Sequence, residues 1–283
     1  MKIGLVLSGG MAKGAFQIGA LRAIAEHFPP EKIAAISASS VGVLNAYSFA
    51  TEKLDAAERM WRNLCKKDSR SFVGKILRGN YLQRAISDIT DPSDRIAMPF
   101  YISLVNIRER TLVHKNISGV LPGFYPDYLR ASVAMPVYNR SVTLDGHSYY
   151  DGAMVDNIPV YPLLEKELDL IICIYFDNCS YIFENLYFDS KVLRVTYPTK
   201  QFILDSVRFE NKNIDMMIKL GYKLTREILA PVVECGDDAE AVCAYIKRLN
   251  EKSGVREMRV TGDMLVTNIN KVVSKLAKNK IDS

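Results

Sequence analysis

The chain is poor in the residues that mark several large protein classes. Its 283 residues hold three histidines, one tryptophan and five cysteines. His27, His114 and His147 are scattered and form no zinc-ligand spacing, so a zinc enzyme is not expected. Cys65, Cys173, Cys179, Cys235 and Cys243 are odd in number and include no C-x-x-C pair. They read as reduced thiols, not as a disulfide framework, which points to a reducing, cytoplasmic compartment. No apolar run approaches the ~20 residues a membrane-spanning helix needs. The longest candidate, Leu170 to Phe176, is strand-sized. The N-terminus has one lysine and a short apolar run ending in Ser8-Gly9-Gly10, without the apolar length or cleavage site of a secretory signal. Lys plus Arg is 37 against 32 Asp plus Glu, a net charge of +5. So mild an excess permits contact with an anionic phospholipid surface without demanding it, and gives no ground for a nucleic-acid partner.

What is present is core-forming sequence. Hydrophobic residues are 48% and charged residues 24%, enough to bury a sizeable interior. Lys2 to Leu7 is a short β-type run, followed by the glycine-rich turn Ser8 to Gly14. A helical pattern through Phe16, Ile18, Leu21 and Ile24 comes next, and Pro29-Pro30 stops it. Ile33 to Ile36 reads as a second buried strand. Ser37 to Gly42 is then a tight turn into a helix from Val43 to about residue 53. Strand, turn, helix, twice over, is the opening of a parallel α/β sheet. Further along, residues 54 to 95 read as helical, broken near Gly74 and Gly79-Asn80. Pro99 to Val105 and Arg110 to His114 read as strands, and Asp145-Gly146 as a hairpin turn between Val142–Leu144 and Ser148–Tyr150. Asp169 to Phe176 and Val192 to Val195 are further strands, and from Phe202 the chain reads as mainly helical.

Two turns carry the chemistry. Gly9-Gly10-Met11-Ala12-Lys13-Gly14, between a strand and a helix, presents backbone N–H groups to an anion. A dinucleotide fingerprint needs glycine at position 11, where Met stands, and an acidic residue at the next strand end, where Ala35-Ile36-Ser37 stands. A P-loop needs Lys and Ser/Thr after Gly14, and Ala15 and Phe16 follow. An oxyanion hole asks only for flexible backbone near a nucleophile. Ala38-Ser39-Ser40-Val41-Gly42 has the form of a nucleophile elbow with alanine in the first glycine place. A strained elbow needs small residues two positions to either side. Ser40 has Ala38 and Gly42, whereas Ser39 would have Ser37 and the β-branched Val41, so Ser40 is the candidate. Its place at a helix N-terminus favours developing negative charge. A serine needs a base. Asp151-Gly152, at a strand end before the looser Asp156-Asn157-Ile158-Pro159, is a better candidate than any histidine. A triad using His147 or His114, and a non-catalytic anion or nucleotide binder, stand as the alternatives.

Taken together these pieces resemble the patatin-like phospholipases. That family carries a glycine-rich loop of the form G-G-G-x-R/K-G, a G-x-S-x-G elbow and a D-G-G/A motif, in that order. Here they stand as Gly9 to Gly14, Ala38 to Gly42 and Asp151-Gly152-Ala153. Leu7-Ser8, Val43-Leu44-Asn45-Ala46, Ala131 to Pro136 and Asn157-Ile158-Pro159 match the flanks. The resemblance covers about residues 2–200 and departs at Met11 and Ala38, where the family has glycine.

It implies a three-layer α/β/α fold with a mainly parallel central sheet over residues 1–200. Residues 201–283, outside the resemblance, read from their own pattern as a mainly helical extension packed on the same domain. The resemblance also implies a serine lipid acyl hydrolase without cofactor or metal. Ser40 is then the nucleophile and Asp151 the base. Backbone N–H groups at Gly9, Gly10 and Met11 form the oxyanion hole. Lys13, Gly14, Ala38, Gly42 and Gly152 are in support. The substrate is a lipid acyl ester: phospholipid, lysophospholipid or acylglycerol. A helical pattern from Leu265 to Leu276 beside Lys271, Lys275, Lys278 and Lys280 packs on the core or serves as a basic amphipathic contact with a membrane surface. Residues 54–95 or 205–230 are candidates for a lid.

Overall fold

The computed structural model describes residues 1–64, 81–136, 139–177, 179–198 and 209–259. Strand β1 (Ile3–Leu7) is buried at every position, as the middle of a sheet covered on both faces requires. It pairs in parallel with β2 (Ile33–Ala38) on one side and β7 (Leu170–Tyr175) on the other. Strand β9 (Val192–Thr196) extends the sheet beyond β7, again in parallel. Beyond β2 comes β3 (Phe100–Asn106), parallel to it. Three antiparallel pairings then complete the sheet, β4 (Thr111–Asn116) and β6 (His147–Asp151) with β3, and β5 (Val142–Leu144) with β6. The β5–β6 turn has Asp145 at φ 49° and Gly146 at φ 79°, the left-handed pair a tight hairpin needs.

The register around β3 positions the site. Strand β4 pairs with β3 along residues 101–106, which occupies one edge. The other edge is therefore shared lengthwise, with β2 opposite residues 100–102 and β6 opposite residues 104–106. Ala38 lies opposite Ile102 and Asp151 opposite Leu104. The ends of two strands distant in sequence thus abut on one neighbour.

Three layers result, as the sequence led us to expect. One face of the sheet, with Leu5, Leu7, Ile36, Ile172 and Val195, packs against the helices α1 (Gly14–Ala25) and α2 (Val41–Ala50). The same core takes in α3 (Leu54–Asn63), α4 (Tyr81–Ile89) and α5 (Tyr125–Ser132). The other face, with Val6, Ile171, Cys173 and Tyr175, is covered by a thinner layer. It consists of the segment around the 3₁₀ turn Tyr161–Lys166, and of Phe183 and Phe188 from β8 (Ser180–Phe183) and the short α6 (Leu186–Asp189).

The later chain joins this core. Helix α7 (Asn211–Glu234) crosses α1 closely enough that a Cβ at Gly19 would sit 1.9 Å from the Ile218 carbonyl oxygen. A Cβ at Gly221 would sit 2.0 Å from that of Phe16. Helix α8 (Ala239–Glu251) buries Val242 and Ile246 in the same core. Beside these helices the later chain has one short strand that the sequence did not mark, β10 (Arg256–Arg259), a parallel partner of β8. Four residues are too few to display a period, and their partner is far away in sequence. Residues 65–80 of the expected helical stretch, part of the 205–230 lid candidate, and the whole Leu265–Leu276 pattern lie outside the described residues.

Candidate active site

Strand β2 ends at the buried Ala38, and the chain turns sharply into α2. Ser39 is fully buried and its N–H donates to the Leu7 carbonyl at 3.0 Å. Ser40 caps α2 with φ 52° and ψ −134°, a left-handed conformation that costs a non-glycine residue about 1–3 kcal/mol. Its side chain is therefore held out of the sheet. A Cβ at Gly42 would lie 2.6 Å from the Ser8 carbonyl oxygen, so that position admits only glycine.

Asp151 ends β6, directly beyond the end of β2 on the shared edge of β3. Its carboxyl accepts hydrogen bonds from Ser40 and from the Ala153 N–H, the latter at 2.9 Å. Burial dominates its titration and pushes its pKa up to about 7, against the opposing pull of those two hydrogen bonds. Gly152 follows because a Cβ there would lie 2.5 Å from the Ser103 carbonyl carbon.

The glycine-rich loop meets both. A Cβ at Gly9 would lie 2.7 Å from Ser40 Cβ, so the loop and the elbow touch. Asn157 clamps Gly9, accepting its N–H at 2.9 Å and donating to its carbonyl at 3.3 Å. The Gly9 N–H, expected among the oxyanion donors, is engaged by that amide. Gly10 rests on Phe176, whose ring a Cβ would strike at 2.2 Å. A 3₁₀ turn over Met11–Lys13 follows, and its first internal bond runs from the Lys13 N–H to the Gly10 carbonyl at 3.1 Å. The N–H groups of Gly10, Met11 and Ala12 precede that bond and have no acceptor within the turn. Met11 has φ 52°, the left-handed conformation for which a third glycine would suit. Lys13 is fully buried, its ammonium 5.4 Å from the Phe176 ring centre. A Cβ at Gly14 would meet the Trp61 ring at 2.5 Å.

A buried polar chain, which no motif announced, fixes the loop from behind. Trp61 Nε1 donates to Asn45 Oδ1 at 2.8 Å. Asn45 Nδ2 donates to the Gly14 carbonyl at 2.9 Å and to Gln17 Oε1 at 2.8 Å. Gln17 Nε2 reaches the Ser8 carbonyl at 2.8 Å. Both ends of the loop are thereby tied to α1 and α2. Asn45 and Gln17 lie 28 residues apart, so only packing brings them together.

In front of Ser40 lies a narrow apolar cleft. Met11, Val41 and Leu44 line it near the serine, and Met60, Trp61 and Phe209 lie among its other walls. The histidines are engaged with other groups. His114 Nε2 lies 3.1 Å from Asp156 Oδ2, His147 Nδ1 lies 3.3 Å from Asn106 Nδ2, and the His27 ring packs beside Phe28. Asp156 is itself buried and also ion-paired to Arg259 of β10, which donates to the Ile158 carbonyl as well. The segment between Asp151 and Ile158 is thus anchored from behind. The described cysteines, Cys173, Cys179, Cys235 and Cys243, are free thiols.

An α/β fold with a strained serine at a strand-to-helix elbow, beside a buried carboxyl and a glycine loop, defines a recognisable class. Residues 5–164 match the family model of the patatin-like phospholipases. That match takes in more than half of the chain, and the chain belongs to this family. Among its relatives is lysophospholipase NTE1 of Cryptococcus neoformans, 32% identical over 190 residues, which cover 60% of this chain and 11% of the fungal protein. Another is patatin-like phospholipase domain-containing protein 7 of Rattus norvegicus, 29% identical over 56% of this chain and 12% of the rat protein. The chain therefore corresponds to a small part of those relatives. The crystal structure of VipD from Legionella pneumophila aligns with a TM-score of 0.48 at 13% identity, over 81% of this chain and 67% of that one.

Proposed function

We propose that this protein is a serine lipid acyl hydrolase of the phospholipase A or lysophospholipase type, working through a Ser40–Asp151 dyad. The observation that carries the reading is the hydrogen bond between the buried Asp151 and Ser40, which itself lines an apolar cleft. Ser40 Oγ attacks the ester carbonyl carbon while its proton passes to Asp151. The oxyanion takes hydrogen bonds from the N–H groups of Gly10 and Met11, with Gly9 as the clamped hinge that sets their direction. The carbonyl–oxygen bond to the alcohol breaks as Asp151 returns the proton to the leaving oxygen, and the acyl chain stays on Ser40 in the cleft. Water, deprotonated by Asp151, then releases the fatty acid and regenerates Ser40. A carboxylate suffices as base because a buried, raised-pKa carboxyl is a better proton acceptor than one in water, and preorganised donors bear the developing charge. Family membership and the lysophospholipase relative support lipid esters as the substrate class. Short peripheral contact with a membrane is the corresponding mode of access.

The test uses a long-chain fluorophosphonate and p-nitrophenyl esters. Ser40→Ala loses labelling. Asp151→Asn loses hydrolysis by about 10²–10⁴-fold, the usual worth of a general base. The three single histidine-to-alanine variants remain active. A histidine variant as dead as Ser40→Ala would falsify the dyad in favour of a triad.

A further inference from the structure

Resting on the lipid-hydrolase reading above, we propose that an arginine-lined groove beside the acyl cleft binds the headgroup phosphate of the substrate. Two hollows between α4, α5 and β5 have Gln83 and Arg130 as shared wall residues and together make up this groove. Arg84, Arg130 and Arg140 line it against a single carboxylate, Asp127. Asp127 engages one Arg130 amino group. The Arg130 side chain is 42% exposed and lines both hollows, so its guanidinium is open to an anion there. A guanidinium presents five N–H donors in a planar fork, the geometry that matches phosphate oxygens.

The groove's position relative to the chemistry gives it this role. Leu82 lines both the groove and the apolar cleft. Ala134 lines the groove, and its carbonyl accepts the Asp151 N–H at 2.8 Å. The next residue, Met135, lines the cleft. Cleft and groove therefore meet across one peptide unit beside the catalytic carboxyl. In the proposed complex, with the acyl chain in the apolar cleft, the alcohol side of an ester at Ser40 is turned toward this groove. An anionic phosphate there meets guanidinium charge that a neutral glyceride does not engage.

The experiment compares kcat/KM for lysophosphatidic acid and for the monoacylglycerol of the same chain. Wild type, Ser40→Ala, Arg140→Gln and Arg130→Gln are assayed. In the two arginine variants the phosphate-over-neutral ratio falls about tenfold or more, chiefly through KM, as loss of a charge-assisted hydrogen bond predicts. Arg140 is exposed, so its variant carries the test if Arg130→Gln folds poorly. Inorganic phosphate competes with lysophosphatidic acid in wild type and less so in Arg140→Gln. A ratio within about twofold of wild type overturns the assignment. Competition by inorganic phosphate with no change in that ratio also overturns it, because the groove then takes free phosphate only. Failure of the underlying hydrolase reading looks different, since wild type would then match Ser40→Ala on both lipids.

Discussion

In the proposed dyad Asp151 works as an anion, and it sits where an anion is disfavoured. Its pKa of about 7 arises from burial, set against hydrogen bonds from Ser40 and Ala153. Two consequences follow at this one residue. The proposed base acts only when ionised, so kcat/KM for a p-nitrophenyl ester should fall as pH drops through about 7, tenfold per unit below it. In the unfolded chain the same carboxyl titrates near ~3.9. Between that value and 7 the native state holds a proton that the unfolded state has lost, so this group's contribution to stability declines as pH rises through that window. Asp151→Asn should therefore be more stable than wild type at pH 8, by roughly 1–4 kcal/mol, with the gain shrinking toward pH 5. Denaturant titrations at the two pH values measure it. An unaltered or reduced stability at pH 8 would contradict the burial argument.

Among the elements, the 3₁₀ turn after Gly10 shows how one side chain reshapes a shared device. Its sequence departure was legible at once, since Met11 stands where the family has glycine. Its conformation was not, because nothing local reports that the position is left-handed. Met11 nonetheless takes φ 52° and places its side chain in the wall of the apolar cleft next to Ser40. Met11→Gly removes both the backbone strain and part of that wall. Stability should hold or rise by up to about 1 kcal/mol. Hydrolysis should shift toward bulkier acyl groups, read as the ratio of rates on long and short p-nitrophenyl esters. The elbow was more legible than the loop. Choosing Ser40 over Ser39 needed only the small neighbours Ala38 and Gly42, and the contact of Gly42 with the Ser8 carbonyl is the steric reason for one of them.

For the whole molecule the informative feature is where the chain's later part returns. Strand β10 pairs with β8, and its last residue, Arg259, reaches the buried Asp156 and the Ile158 carbonyl behind the candidate site. The family match ends at residue 164, so this anchor comes from outside it. Arg259→Gln leaves the Asp156 carboxylate with His114 as its remaining partner among the described residues. Breaking a buried pair from one side costs about 3–5 kcal/mol, and Asp156→Asn combined with Arg259→Gln should cost less than the sum of the two singles. A double-mutant cycle in denaturant checks this, and strict additivity would show that the pair does not couple.

The sequence by itself determined what is decided over a few neighbouring residues. Alternating and continuous apolar runs gave most of the strands, Asp145-Gly146 gave a hairpin, and small residues around Ser40 gave a strained turn. These signals are local because sterics and burial act residue by residue. Tertiary structure alone decided that β2 and β6 share one edge of β3, which sets Asp151 beside Ser40. It also decided that Asn157 clamps Gly9, that Asn45 joins Trp61 to the loop, and that the Asp151 carboxyl is dry enough to titrate near 7. Each of those depends on which distant surfaces exclude water together, and a distant partner leaves no period in the sequence to read.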